Sequence, residues 1–355
     1  MTISNHGIEF NEMKETSCFH LPDQSNARCE REITWRRDPL TGDVSLISEG
    51  LLHKAEILFG VTDFKFLRKT AEESRENCLF CPEKVEEVTP TYPSDFIPQG
   101  RLKSDKTILF PNIFPLSGIH AVLTWPQKHF VLMENMTLED LTDLLIMAMK
   151  FIRRVDTVYP DIGFISINAN HLPPAGASIL HPHFQIVGGR HSPALVRRHI
   201  DCSRSYYKSN GSSYWDDLVA VERSQKERWI AAPGNWSWLA SYAPQGSNEI
   251  CAINHTTRTL FQMSNEDICT LVKGMKQVLT YWGNRGYSTF NFSLYGDLKY
   301  KDEGDMRCIA KMITRQNFRP MYRTDDYFIQ KMLGAELVIV PPEAIASDLR
   351  KIFNE

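Results

Sequence analysis

The sequence predicts an α+β chain in which one strand–helix–strand unit is used twice, and three observations carry that expectation. Met136-Thr137-Leu138-Glu139-Asp140-Leu141 is echoed by Met263-Ser264-Asn265-Glu266-Asp267-Ile268. Each stretch opens an amphipathic helix, and each helix runs on to a glycine-led strand pattern, at Gly163 and again at Gly286. At 355 residues the chain is long enough for one large domain or two medium ones.

The helices are the clearest elements. Thr137 and Ser264 are hydroxyl residues with an acid three positions on, a pattern that ties up the unpaired N–H groups of a first helical turn. In the first helix Leu141, Leu144, Leu145, Ala148, Met149, Ile152 and Val155 share one face, and the pattern stops near Tyr159-Pro160. In the second, Ile268, Leu271, Val272, Met275, Val278, Leu279 and Trp282 do the same. Residues 32–35 and 44–48 read as two strands of a hairpin, because Asp38-Pro39-Leu40-Thr41-Gly42-Asp43 between them supplies turn dihedrals. Residues 163–168, 238–242, 250–254 and 286–291 read as strands, and residues 342–353 as a terminal helix. Residues 77–99 are loop-rich. The domain expectation is a polar tail or loosely docked arm over 1–30, a first unit over 31–190, a polar linker or insertion over 191–229, and a second unit over 230–355.

Composition narrows the function. With 42% apolar and 23% charged residues the chain is ordinary globular material, and a net charge of -3 offers no chain-wide attraction for nucleic acid or anionic lipid. No apolar leader precedes the first acidic residues, and the longest apolar run, residues 144–149, is far short of a membrane span. The expectation is a cytoplasmic protein with no nucleic-acid or membrane partner. Eight cysteines are sparse, and only Cys78 and Cys81 are close, as Cys-Leu-Phe-Cys, a spacing of metal or redox chemistry rather than of a disulfide framework.

The densest chemical stretch is Ala175-Gly176-Ala177-Ser178-Ile179-Leu180-His181-Pro182-His183-Phe184-Gln185. Strand alternation predicts His181, His183 and Gln185 on one face, with Ser178 adding a hydroxyl and Gly176 allowing close approach of a phosphate. A surface turn without a role is the other reading of His-Pro-His. The Cys78/Cys81 knuckle supplies two thiolates, and zinc takes four N/S ligands, so His129 and His181 are candidate partners; a pair of free thiols is the alternative. A full set of four protein ligands leaves no open position, which makes such a zinc structural. With His181 on the metal, His183 is left as a neutral imidazole able to attack phosphorus, while Gln185 and Ser178 stabilise charge on the non-bridging oxygens.

At these residues the sequence resembles the galactose-1-phosphate uridylyltransferase family of the histidine-triad superfamily. The resemblance spans roughly 31–353 and rests on Arg36-Arg37-Asp38-Pro39-Leu40-Thr41-Gly42, Cys78-Leu79-Phe80-Cys81, Phe110-Pro111-Asn112-Ile113-Phe114-Pro115, and the stretch from Gly176 to Gln185. It implies duplicated histidine-triad-like units, antiparallel sheet with packed helices, and a homodimer that completes each site across the interface. It implies zinc on Cys78, Cys81, His129 and His181 and a nucleotidyl-histidine at His183. Gln185, Ser178 and Asn170 would contact phosphate, and Phe110 and Asn112 would lie against the nucleoside. The chemistry implied is transfer of a nucleoside monophosphate, UMP, between a nucleotide sugar and a sugar 1-phosphate. Three departures stand out. Glu49-Gly50-Leu51-Leu52-His53-Lys54 replaces an arginine-rich stretch, leaving Lys54 as the phosphate-binding cation. Ala177 and Ile179-Leu180 replace the usual Cys and Asn-Pro. The second unit has no His-x-His between 308 and 313 and no iron ligand set, so one unit is expected to be catalytic and the other degenerate. Two alternatives remain: a phosphorylase or hydrolase using the same intermediate, with phosphate or water as acceptor, and a non-catalytic nucleotide-sugar-binding protein.

Overall fold

The computed structural model describes residues 7–22, 26–52, 57, 59–299 and 306–353. Lys54 lies outside the described residues, as do 1–6 and 23–25 of the expected tail.

Two sheets form. The smaller holds β1 (Glu12–Leu21), β2 (Ala27–Arg37), β3 (Val44–Ser48) and, parallel to β3, β14 (Ala335–Val338). Within the expected tail or loosely docked arm, β1 pairs antiparallel with β2 along its whole length, and its side chains are nearly all exposed. Their polarity hid the strand, because a hairpin solvated on both faces shows no alternation. The turn between β2 and β3 forms as expected. Asp38 Oδ1 accepts from the N–H groups of Leu40 and Thr41, and Gly42 takes φ +76°, which only glycine adopts without strain.

The larger sheet has the order β4 (Leu102–Lys103), β5 (Ile108–Pro111), β6 (Ile119–Thr124), β8 (His183–Gly189), β7 (Phe164–His171), β12 (Phe290–Tyr295), β13 (Ile309–Thr314), β11 (Ile250–Asn254), β10 (Trp236–Ala240) and β9 (Trp229–Ala231). Every pairing in it is antiparallel. The duplication is visible as a two-fold relation about the β7·β12 pair. One row of directly paired residues runs Phe110, Val122, Gln185, Asn168, Ser293, Lys311, Cys251, Leu239. Lys311 thus stands where Gln185 stands in the first half, and Ile309 where His183 stands. The two units are halves of one continuous sheet.

Helices α1 (Glu49–Leu52), α2 (Phe64–Arg75), α3 (Val85–Val88) and α4 (Leu138–Val158) precede the site-bearing strand. Thr137 caps α4 by accepting from Asp140 N–H at 3.1 Å. The insertion between the halves is not a polar linker. It folds as α5 (Ala194–Asn210) and α6 (Tyr214–Gln225), whose buried faces carry Val196, Ile200, Tyr214, Trp215 and Leu218. The repeat helix α7 (Asn265–Asn284) begins with a reciprocal capping box between Ser264 and Asp267. Short α8 (Phe328–Lys331) precedes β14, and α9 (Pro342–Phe353) covers the expected terminal helix. The later strand of the repeat, expected over 286–291, begins at Phe290, after Gly286 has turned the chain out of α7 with φ +83°.

The main core lies between one face of the large sheet and the helices α4, α7 and α9, with Leu144, Leu271, Phe184, Phe292 and Trp238 fully enclosed. The opposite face differs between the halves. In the second, α5 and α6 pack over Leu239, Cys251 and Ile309. In the first, among the described residues, the Cys78–Cys81 knuckle, Val85 and Ile179 pack over Phe110 and Val122, and a cleft is left open. Helix and sheet pack tightly at Gly274, where a Cβ would sit 2.3 Å from the Trp238 ring. We expect Gly274→Ala to destabilise the protein by about 2 kcal/mol despite alanine's better helix propensity, because the indole is enclosed and cannot retreat. Chemical denaturation of the variant checks this, and an unchanged midpoint would show that the two elements can slide apart.

Candidate active site

The metal-type cluster is built from three segments. Cys78 and Cys81 follow α2, His129 follows β6, and His181 lies just before β8. Their ligand atoms fall within 4.8 Å of one another, and all four residues are buried. Cys78 Sγ is 3.3 Å from His181 Nδ1, Cys81 Sγ is 3.2 Å from His129 Nδ1, and Cys81 Sγ is 3.7 Å from His181 Nδ1. A tetrahedral ion with bonds of about 2.0–2.3 Å holds its ligands roughly 3.3–3.8 Å apart, so these spacings match. The other ring nitrogens are already committed: His129 Nε2 faces the Ala71 carbonyl at 2.8 Å, and His181 Nε2 faces that of Trp125 at 3.0 Å. Donation there places both protons on Nε2 and leaves both Nδ1 lone pairs aimed into the cluster. Burial draws His181 down to about 4, keeping it neutral, and pushes the Cys81 thiol up to about 12 with Cys78 beside it. A divalent cation reverses that thiol shift, since it repays the desolvation of the thiolate. The residues fit a structural zinc.

His181 is not on the strand. β8 begins at His183, and the ring of His181 turns toward the cysteines. The two histidines are coupled through the backbone instead: His183 Nδ1 lies 2.9 Å from the His181 carbonyl and donates to it. Nε2 of His183 then carries the lone pair, and it has no hydrogen-bond partner among the described residues. Burial lowers the affinity of this ring for a second proton, so it stays neutral.

A cleft of about 240 Å³ opens beside His183. Gln185, Ser178, Phe110 and Asn112 line it with His183, which brings together five of the residues expected at the site. Asn170 does not line it. Its amide oxygen accepts from Asn291 Nδ2 at 2.7 Å, and its Nδ2 faces the turn at Gly176. Asn291 is itself held by Arg315, whose Nη1 donates to Asn291 Oδ1 at 2.8 Å. This relay comes from the second half of the sheet.

Sequence reasoning passed over several lining groups. Phe80, the middle of the cysteine knuckle, meets the Phe110 ring edge-on at 5.3 Å and the His183 ring at 5.5 Å. The Cys/His cluster therefore also sets a wall of the cleft. Val88, Thr89 and Pro90 close another side. No lysine or arginine lines the cleft among the described residues. In the second half, the counterpart surface of Leu239, Cys251 and Lys311 borders a cavity of only about 40 Å³ beneath α5 and α6, and Lys311 is paired with Glu249 at 2.9 Å. At the position of His183 this half has Ile309, and the space beside it is smaller.

The structure resembles a GALT-like protein from Arabidopsis thaliana with TM-score 0.67 and 16% identity, covering 89% of this chain and 98% of that one. It resembles an ADP-glucose phosphorylase from Arabidopsis thaliana, solved with bound ADP-glucose, with TM-score 0.68 and 17% identity over 89% and 97% of the two chains. This is the GALT-like fold. A uridylyltransferase shares it at TM-score 0.63 and 16% identity, over 90% of this chain and 98% of that one. In sequence, a protein of Archaeoglobus fulgidus described as uncharacterized is 29% identical over 329 residues, 92% of this chain and 94% of its own length. No protein-family model matches. Among the described residues no helix of this GALT-like fold is long and apolar enough to cross a membrane.

Proposed function

We propose that the chain is a zinc-containing nucleotidyltransferase that moves UMP between a nucleotide sugar and a sugar 1-phosphate by way of a nucleotidyl group on His183. The observation that carries this reading is the His183 ring itself: neutral, anchored through Nδ1 to the His181 carbonyl, with Nε2 unpartnered beside a cleft of nucleoside size. In the first step the Nε2 lone pair forms a bond to the α-phosphorus as the bond to the bridging oxygen breaks, and the sugar 1-phosphate leaves with that electron pair. The positive charge left on the ring is shared by Nδ1–H with the His181 carbonyl. In the second step a phosphate oxygen of the acceptor attacks the same phosphorus, and the N–P electrons return to Nε2. No proton has to move in either step, which suits a site without a second base.

The remaining groups have supporting parts. Gln185 and Ser178 donate to the non-bridging oxygens, Asn170 supports the Gly176 turn on the phosphate side, and Phe110 and Asn112 take the nucleoside. Lys54 is the cation proposed for the outer phosphate. Zinc, when bound by Cys78, Cys81, His129 and His181, supplies no chemistry beyond fixing the Phe80 wall and the His181 carbonyl. All eight cysteines are free, in keeping with a reducing cytoplasm. A homodimer is part of the proposal, because Ile113, Phe114 and Leu116 stand largely exposed at the cleft rim. Static light scattering should give twice the chain mass, and a monomer at micromolar concentration would remove that part.

The test is covalent labelling. Protein mixed with a UDP-hexose labelled at the α-phosphate should retain acid-labile, alkali-stable label in the absence of acceptor. Sugar 1-phosphate should discharge it to a new nucleotide sugar. Discharge only by inorganic phosphate or by water would assign a phosphorylase or a hydrolase, and binding with no label would assign a nucleotide-sugar-binding protein.

A further inference from the structure

One histidine on the cleft side of the sheet is unused by this scheme. His120 sits on β6, diagonal to Gln185 across the β6·β8 pair, where Val122 is the direct partner of Gln185. Both of its ring nitrogens are engaged. The backbone N–H of Leu116 donates to Nδ1 at 3.0 Å, so Nδ1 holds no proton and Nε2 must carry it. Nε2 lies 2.8 Å from Gln185 Oε1. Asn112 Nδ2 is also near, at 3.2 Å, but it belongs to an amide whose oxygen accepts from Phe114 N–H, so it is a donor and cannot receive the ring proton. The proton therefore goes to Gln185.

We infer that His120 is a positioning residue that locks the Gln185 side chain with its amide oxygen turned to the imidazole and its two N–H donors free for an oxyanion at His183. An amide has nearly equal shape in its two orientations, and only the flipped one would set an oxygen against the phosphate. The Leu116 N–H decides the tautomer of His120, and the tautomer decides the amide. Among the described residues no protein acceptor takes the Gln185 N–H groups, so they remain available to a ligand. Having no free nitrogen, His120 itself can be neither base nor nucleophile. The consequence is that beside His183 the anion meets neutral donors of fixed polarity, in keeping with the lack of arginine and lysine among the described residues that line the cleft.

This inference rests on the nucleotidyl-transfer reading, and its test is a double-mutant cycle of His120→Leu and Gln185→Ala. The single-turnover rate of label transfer from an α-phosphate-labelled UDP-hexose is measured, together with the Kd of the same ligand. In the wild-type background His120→Leu should slow labelling about tenfold or more, the loss of one buried hydrogen bond and of the orientation it imposes. In the Gln185→Ala background it should change the rate less than twofold, because the group it acts through is gone. A merely structural role would make the two effects multiply, and that result, or a His120→Leu rate equal to wild type, overturns the inference. If the wild-type protein binds the ligand but takes no label, the transfer reading fails while the cycle is still decided on Kd. A wild type that neither labels nor binds overturns both.

Discussion

Replacing His183 by asparagine will abolish incorporation of label and lower turnover by on the order of 10⁴-fold or more, which corresponds to about 5.4 kcal/mol of transition-state stabilisation. The effect is expected to be this large because no neighbour among the described residues can substitute. His181 has both nitrogens committed, one toward the cysteines and one to the Trp125 carbonyl, and His120 has both committed to Leu116 and Gln185. His171 is enclosed, stacked on Phe290 at 5.1 Å, and drawn down to about 3 by burial, yet it belongs to β7 and lines no part of the cleft. Asparagine keeps a donor that can reach the His181 carbonyl, so the variant should fold and keep its metal. Melting temperature and zinc content measured beside the labelling separate lost chemistry from lost structure. Label that persists in the variant would move the nucleophile elsewhere.

Removing the metal should have the largest effect on stability. Cys81→Ser, or prolonged chelation, is expected to cost about 4 kcal/mol, the stabilisation given by a ligand held at a thousandfold above its Kd. The midpoint of thermal unfolding should then fall by on the order of 10 °C, given a few degrees per kcal/mol for a chain of this size. The reason is local. The loop-rich stretch around the knuckle has little regular structure beyond α3, and its apolar contacts in this region are few: Phe80, Val85, Ile108, Phe110 and Val122. Without the ion, the two buried thiols have only weak S–H donation to the Nδ1 lone pairs of His181 and His129 in place of four metal bonds. Activity should fall with stability, since the His181 carbonyl that orients His183 and the Phe80 wall both depend on the cluster. Elemental analysis of the purified protein checks the premise, which one zinc per chain supports. Absence of zinc above the level of a Cys78→Ser/Cys81→Ser variant would leave the four residues as an ordinary buried cluster.

These two experiments probe the part of the site that was most legible in the residues alone. The Cys-x-x-Cys spacing, the His-Pro-His run and Gln185 are contiguous motifs, and the chemistry of thiolate and imidazole limits what they can do. The repeat was legible for a similar reason. N-caps at Thr137 and Ser264 and the 3.6-residue period that follows them are local signals, satisfied by hydrogen bonds and packing within one element. Helices α5 and α6 were not legible within the polar insertion because α5 exposes Ser, Arg, Lys and Tyr and α6 exposes Asp, Arg, Ser and Gln, and their apolar faces are narrow. Their packing partners, Leu239, Cys251 and Ile309, come from strands later in the chain.

From composition and spacing alone came the α+β class, the doubled unit, the Cys-x-x-Cys pair and the His-Pro-His run, all carried within short stretches of chain. Folding settled the rest: which nitrogen of His183 is free, that β8 starts only at His183, that His120 stands behind Gln185, and that one half of the sheet is sealed by helices while the other keeps a cleft. Each of these turns on a backbone carbonyl, an N–H or a side chain brought from a distant strand. A proton's position and a cavity's volume are set by such long-range partners, and no local pattern of residue types encodes them.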